Sequence, residues 1–167
     1  MRPFAFALGA NLDGARAAIE AATRRLDERF GPLVTAPLYV TEPVSPIPQP
    51  EFLNTVVCGR TRESPEQLHA FARQLERDLG RQPRPRDAPR EIDIDLLYVG
   101  ELLRTGAGLE LPHPRLRERR FVLAPLCDIA GEQALPPDGA TAAELLARLP
   151  PGPWVERITE GALRLRR

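Results

Sequence analysis

The chain has 167 residues, 43% of them hydrophobic and 28% charged, with a net charge of zero. That is the composition of a globular protein with a core large enough to need no disulfide staples. Zero net charge argues against a broad nucleic-acid or membrane surface. The sequence holds no Lys, so all 23 Lys/Arg cations are Arg and a P-loop lysine is excluded. Any phosphate contact must come from Arg forks, backbone N–H groups or metal.

No long apolar run follows Met1-Arg2-Pro3. No signal peptide or membrane span is expected, and the expected compartment is the cytoplasm. Phe4 to Leu8 reads as a short buried strand that runs into a turn at Gly9-Ala10-Asn11-Leu12-Asp13. Ala15, Ile19, Ala22, Leu26 and Phe30 recur at three and four residues, the apolar stripe of a helix that Gly31-Pro32 stops. Leu33 to Thr41 reads as a second strand, interrupted by Pro37. The loop from Glu42 to Glu51 carries four prolines, which give it a stiff shape.

Phe52 to Cys58 reads as a third strand, with Asn54 inside it as an amide that needs partners. Ser64-Pro65-Glu66-Gln67 has the capping-box pattern of a second helix, with Leu68, Phe71, Leu75 and Leu79 as its buried face and Gly80 at its end. His69, Arg73 and Glu76 read as solvated positions on that helix. Cys58 and Cys127 are too few and too far apart for a metal motif and read as buried small hydrophobes.

Arg81 to Arg90 carries four Arg and three Pro. It enters Ile92-Asp93-Ile94-Asp95-Leu96-Leu97-Tyr98-Val99, whose alternation has the period of a strand. Asp93 and Asp95 then share one face, with Cα atoms roughly 6.5–7 Å apart. Two carboxylates this close repel each other, and a divalent cation between or above them answers the electrostatics better than one Arg. Their oxygen-only chemistry favours Mg²⁺ over Zn²⁺. For a bare D-x-D the commoner reading is the wet face of an edge strand. The adjacent Arg loop favours an anion-gripping site over a polyphosphate.

Further on, His113 lies between two prolines, and Arg115 to Arg120 forms a second basic cluster. Phe121 to Ile129 reads as a helix, and Thr141 caps another that runs through Arg148. Trp154, Val155 and Ile158 are candidates to dock the tail. The order strand, helix, strand, strand, helix, strand is the ferredoxin-like βαββαβ unit, so an α+β fold is expected. One domain is expected over 1–167, with a core of about 3–130 and a C-terminal helical extension over 131–167.

Several motifs go beyond the fold. Gly9-Ala10-Asn11-Leu12, Tyr39 to Pro43, Phe52-Leu53-Asn54, Glu76 with Gly80-Arg81, Pro89-Arg90-Glu91-Ile92-Asp93-Ile94-Asp95, Leu111-Pro112-His113-Pro114 and Arg119-Arg120-Phe121 occur in that order. Together, over essentially residues 4–130, they resemble the 6-hydroxymethyl-7,8-dihydropterin pyrophosphokinase family. The resemblance implies transfer of the β,γ-diphosphate of ATP to the pterin hydroxymethyl oxygen, with release of AMP, in folate synthesis. It implies two Mg²⁺ ions held by Asp93 and Asp95, with Arg81 and Arg90 acting on the phosphates. Glu76, Arg86, Arg90, Leu96, His113 and Arg119 fall at nucleotide positions. Asn54 falls at the position that pairs with ring heteroatoms, and Phe52 and Phe121 at the aromatics that sandwich the ring. Thr41, Pro43, Val44 and Asp95 fall on the same substrate pocket. The partners implied are ATP and the reduced pterin, with no nucleic acid and no membrane, and a monomer is expected.

The chain departs from that family in one loop. An aromatic and Gly usually precede the Pro-Arg, whereas here the run is Arg86-Asp87-Ala88-Pro89-Arg90, and the loop is one residue shorter. Without an aromatic cover, looser closure over ATP is expected. Two other classes compete with the leading reading. A palm-like nucleotidyltransferase also sets paired Asp on such a sheet, but would want a basic track. A non-catalytic ligand-binding module would keep the pocket and lose turnover.

Overall fold

The computed structural model describes residues 1–106 and 108–158. It is a mixed helix and antiparallel-sheet structure. The strands are β1 (Arg2–Ala10), β2 (Val34–Thr35), β3 (Tyr39–Thr41), β4 (Phe52–Thr61), β5 (Asp93–Val99) and β6 (Val155–Arg157). The helices are α1 (Ala15–Phe30), α2 (Pro65–Asp78), α3 (Arg120–Ala130) and α4 (Ala142–Arg148). The sheet order is β5-β1-β4-β3-β6, with β2 also beside β4, and every pairing is antiparallel.

The alternation of β1 divides the core in two. Phe4, Phe6, Leu8 and Ala10 join one cluster with Ile19 and Leu26 of α1 and Leu68 and Leu75 of α2. Ala5 faces the other way, into a cluster with Val122, Leu123 and Leu126 of α3 and Leu145 of α4. Phe4 and Phe6 are fully buried, which is worth about 1.5–3 kcal/mol for each ring. Their edge-to-face contact, with centroids 5.8 Å apart, adds to this.

A bulge in β5 sets where the two aspartates point. The register with β1 runs Ala7↔Asp95 and Phe6↔Leu96, then jumps to Ala5↔Tyr98, so Leu97 is the extra residue. Ile94 and Leu96 lie in the α1/α2 cluster, while Leu97 and Tyr98 both lie in the α3/α4 cluster. Asp93 and Asp95, four and two residues before Leu97, project on the α3 side.

Several expectations hold and several are corrected. α1 covers Ala15 to Phe30 as its stripe requires, but its N-cap is Gly14 in the left-handed conformation (φ 79°), with no side-chain cap. α2 and α4 begin with complete capping boxes from Ser64–Gln67 and Thr141–Glu144. The strand expected over Leu33 to Thr41 is two short strands. Pro37 has no N–H for the ladder, and both pieces pair with β4 on either side of it. β4 runs three residues beyond Cys58, to Thr61. On α2, Ala72 and Glu76 are buried, whereas Phe71 and Leu79 are only partly so. Cys58 and Cys127 are likewise only partly buried. Burial and the neighbouring Tyr98 hydroxyl hold the Cys58 thiol at a pKa of about 11, burial being the larger effect and the raising one.

The C-terminal extension is not only helical. After α4 the chain returns as β6 and pairs with β3. The Tyr39 hydroxyl donates to Asp128 Oδ2 at 2.6 Å, and Arg157 donates to the same carboxylate and, at 3.3 Å, to the Tyr39 oxygen. Glu42 N–H donates to the Trp154 carbonyl at 3.0 Å, and Trp154 N–H donates to Glu42 Oε2 at 3.1 Å. The tail is thus docked through its backbone groups, while Trp154 stays 41% exposed.

Candidate active site

The site lies on the α3 face of the sheet, where β1 carries small residues. Ala7 pairs with Asp95 on one side and Val56 on the other, and Gly9 pairs with Asp93 and Asn54. Cross-strand partners present their side chains on the same face. Asp93, Gly9 and Asn54 therefore form a row across three strands, and the missing bulk of Gly9 and Ala7 opens room beneath α3. A cavity of about 120 Å³ occupies this room, lined by Gly9, Thr41, Val44, Phe52, Asn54, Arg90, Asp93, Asp95, Arg119 and Phe121, among others. It has the mixture of aromatic faces and a few polar groups that a flat heterocycle needs.

Asn54 is 6% exposed, and its amide donates to Thr41 Oγ1 at 2.7 Å. A Cβ on Gly9 would stand 2.5 Å from Asn54 Oδ1. Phe121 is the second residue of α3, and the Arg119 guanidinium sits 5.4 Å from the centre of its ring.

A second cavity of about 260 Å³ lies beyond Asp95 and is lined by His69, Arg73, Asp95, Leu96 and His113, among others. Asp95 is the residue that lines both spaces. His113 is anchored through its N–H to the Leu97 carbonyl at 2.8 Å, and its Nδ1 accepts from Arg115 N–H at 3.1 Å. Burial, reinforced by Arg119, lowers the His113 pKa to about 4, so the ring is neutral near pH 7. A neutral ring whose Nδ1 accepts carries its proton on Nε2, which stands 3.9 Å from Asp95 Oδ2.

The electrostatics separate the two aspartates. Arg81 Nη1 donates to Asp93 Oδ1 at 2.9 Å. The cations nearest Asp95 are farther away, with Arg119 at 3.8 Å and Arg73 at 3.9 Å. Burial, together with the Asp93 charge, raises the Asp95 pKa to about 6. A carboxylate pair with one member short of counter-charge fits a hard divalent cation.

Glu76 is the largest departure from the reading of a solvated helix. It is 3% exposed and lies under the site. Ile94 N–H donates to its Oε2 at 2.9 Å, Arg81 bonds the same oxygen, and Arg73 Nε pairs with Oε1 at 3.1 Å. Burial pushes its carboxyl above the usual range, against the pull of Arg73, Ile94 N–H and Arg81. Glu76 thus fixes two arginines to the strand that carries both aspartates.

Not every residue that the motifs singled out reaches a cavity. Arg81 and Glu76 lie behind Asp93, and Pro43 and Arg86 line neither space. Leu96 borders the second cavity, although its side chain is 4% exposed and packs in the core. His69 is half-buried and borders that cavity too, so it is not simply a solvated helix residue. Sequence reasoning missed Ala7, Ser45 and Gln49 as lining groups. It also missed Pro150 to Trp154, which wall an adjoining cavity that shares Thr41, Arg119 and Phe121. Single small residues and a proline-rich tail carry no chemical signal that would have singled them out.

Comparison with known proteins gives the family of the chain. The model of the 7,8-dihydro-6-hydroxymethylpterin-pyrophosphokinase family matches residues 5–131. A 2-amino-4-hydroxy-6-hydroxymethyldihydropteridine pyrophosphokinase from Pseudomonas aeruginosa is 39% identical over 148 residues, covering 86% of this chain and 90% of the relative. The mitochondrial folate synthesis bifunctional protein of Arabidopsis thaliana is 44% identical over 109 residues, covering 64% of this chain, and the match takes up only 20% of that longer protein. Among solved structures, wild-type HPPK-DHPS of Plasmodium falciparum superposes with a TM-score of 0.69 at 14% identity, over 88% of this chain and 41% of that one, which is a likeness of fold. With the family model spanning most of its length and the Pseudomonas relative matched nearly end to end, this chain belongs to the 7,8-dihydro-6-hydroxymethylpterin-pyrophosphokinase family.

Proposed function

We propose that the chain transfers the β,γ-diphosphate of ATP to the hydroxymethyl oxygen of 6-hydroxymethyl-7,8-dihydropterin and releases AMP. The observation that carries this reading is that Asp95 lines two separate spaces, a ring-sized cavity and a second one beside His113. A group transferred between two bound substrates must pass such a partition. The core, with β2 and β3 counted as one interrupted strand, is read as the ferredoxin-like βαββαβ unit.

The pterin takes the first cavity, between Phe52 and Phe121, with Asn54 reading its ring edge and Thr41 and Val44 lining it; Pro43, next to Val44 in the chain, stiffens the loop that brings Val44 there. ATP takes the second, against His113 and the Leu96 backbone, with Arg119 meeting its phosphates beside Asp95 from the ring side and Arg86 and Arg90 reaching them from their loop. Two Mg²⁺ ions held by Asp93 and Asp95 would neutralise the phosphate oxygens and clamp the attacking and leaving groups. The pterin oxygen forms a bond to the β-phosphorus as the bond from that phosphorus to the α-phosphate oxygen breaks. Arg81, fixed by Glu76, holds Asp93 in place, and Arg90 and Arg119 meet charge that grows in the transition state. No helix among the described residues is long and apolar enough to cross a membrane. The reading takes the chain as a cytoplasmic monomer.

Turnover of ATP with the reduced pterin tests the reading. AMP forming in step with consumption of the pterin, and only with a divalent cation present, supports it. ATP and pterin both binding without turnover would mean a ligand-binding module.

A further inference from the structure

Asn11 belongs to a motif of the sequence that the proposed chemistry leaves without a role. It is 5% exposed, at the end of β1, and its side chain joins two loops. Its Nδ2 donates to Gln49 Oε1 at 2.8 Å and to the Pro50 carbonyl at 3.1 Å. Its Oδ1 accepts from Arg90 N–H at 2.8 Å, and its own N–H donates to the Arg90 carbonyl at 3.1 Å. Gln49 continues the chain of bonds: its Nε2 donates to the Asp87 carbonyl at 2.8 Å, an oxygen that also accepts from Ser45 Oγ at 2.9 Å.

The two loops so joined serve opposite halves of the site. The proline loop leads directly into Phe52 and Asn54 on the ring side. The arginine loop leads through Arg90 into Asp93 and Asp95 on the phosphate side. No strand ladder connects the loops to each other. Their relative placement therefore rests on the bonds of Asn11 and Gln49 and on the direct one from Ser45, and a buried amide with both its donors and its acceptor in use has few alternative positions.

From this geometry we infer that Asn11 is a positioning residue that, with Gln49 as its relay, fixes the ring-binding half of the site against the phosphate-binding half. It touches no reacting atom. The inference rests on the proposed diphosphate transfer, because it is the alignment of two substrates that Asn11 protects. Misplacing reacting groups by about 1 Å costs on the order of a hundredfold in rate, whereas each half-site on its own keeps its contacts.

Asn11→Asp keeps the shape and the acceptor and removes both donors. Gln49→Ala, on the exposed side of the relay, removes one of the two bonds to the Asp87 carbonyl, leaving that of Ser45, and leaves Asn11 in place. The expected result is a fall in kcat of about tenfold to a hundredfold for Asn11→Asp and a smaller fall for Gln49→Ala. For Asn11→Asp, at a position that lines neither cavity, the separately measured Kd values for the pterin and for Mg-ATP should each stay within about threefold. The double variant should be no worse than Asn11→Asp alone, because Gln49 acts through the same chain. Amide hydrogen exchange of Asn11→Asp should quicken over 42–51 and 81–90 while α2 keeps its protection. Unchanged kcat in both variants, additive losses, loss of Kd that accounts for the whole rate effect, or quickened exchange throughout α2 would each overturn the inference. If Asn11→Asp does not fold, Gln49→Ala alone decides, and an unchanged kcat there overturns it. A wild-type protein that forms no AMP would count against the proposed reaction; the exchange pattern would still decide the coupling of the loops.

Discussion

Gly9 stands directly opposite Asn54 in the β1–β4 register, and a methyl on Gly9 would come within 2.5 Å of Asn54 Oδ1. The floor of the ring cavity is therefore set by what Gly9 lacks. Its backbone needs no special conformation; the requirement is space for the Asn54 amide, which is held on its other side by Thr41.

Gly9→Ala should displace the Asn54 amide and weaken pterin binding about as much as Asn54→Ala does, by about 1–3 kcal/mol. Mg-ATP affinity should hardly change. Calorimetry with each ligand decides this. Equal losses for both ligands would mean that Gly9 supports the whole site rather than the ring pocket.

The aspartate pair gives a prediction for the metal and one for stability. Asp95→Asn should lower turnover by about a hundredfold or more by removing one side of the phosphate clamp. In chelator the same change should leave the fold intact. The folded pKa of Asp95 is about 6, above its unfolded value, so the folded state binds the extra proton between about pH 4 and pH 6. Wild-type stability should then fall as pH rises through that window, by up to about 2–3 kcal/mol. Asp95→Asn should lack this fall. Urea titrations at pH 4 and pH 7 compare the two proteins, and parallel curves would contradict the assigned cause.

Much of this was legible in the sequence, and the gaps have physical reasons. The helices were visible because α1 and α2 carry apolar stripes, and α2 and α4 carry explicit capping boxes. The aspartates could be placed on one face because strands have a period of two. The bulge at Leu97 was not legible: it changes register through pairing, and the residues on either side are apolar whichever face they take. Glu76 was read as solvated because burial of a charge depends on partners distant in sequence, here Arg81 and the Ile94 N–H. β6 escaped notice because a three-residue edge strand is held by its neighbour, and its own pattern is too short to read. Asn11 was visible as part of a motif, but its bonds span 38 to 79 residues of sequence.

Asp87 illustrates a different gap. Read as a sequence, it is a charge where an aromatic is usual. In the structure it is the one non-glycine residue among those described with positive φ, at 64°, and its carbonyl receives Ser45 and Gln49. Asp and Asn tolerate this conformation, whereas a bulky side chain is strained there. Asp87→Asn should keep stability within about 0.5 kcal/mol. Asp87→Trp should cost about 1–2 kcal/mol, whatever cover it gives the nucleotide. Chemical denaturation checks both, and a Trp variant as stable as wild type would show that the loop backbone is not constrained as described.

The central claim is that diphosphate moves as a unit to the pterin. Phosphorus NMR of the completed reaction tests it most directly. The account predicts two mutually coupled phosphorus signals on the pterin product and a single signal from AMP, in equal amounts. A single uncoupled phosphorus on the pterin, with ADP as the nucleotide product, would contradict it.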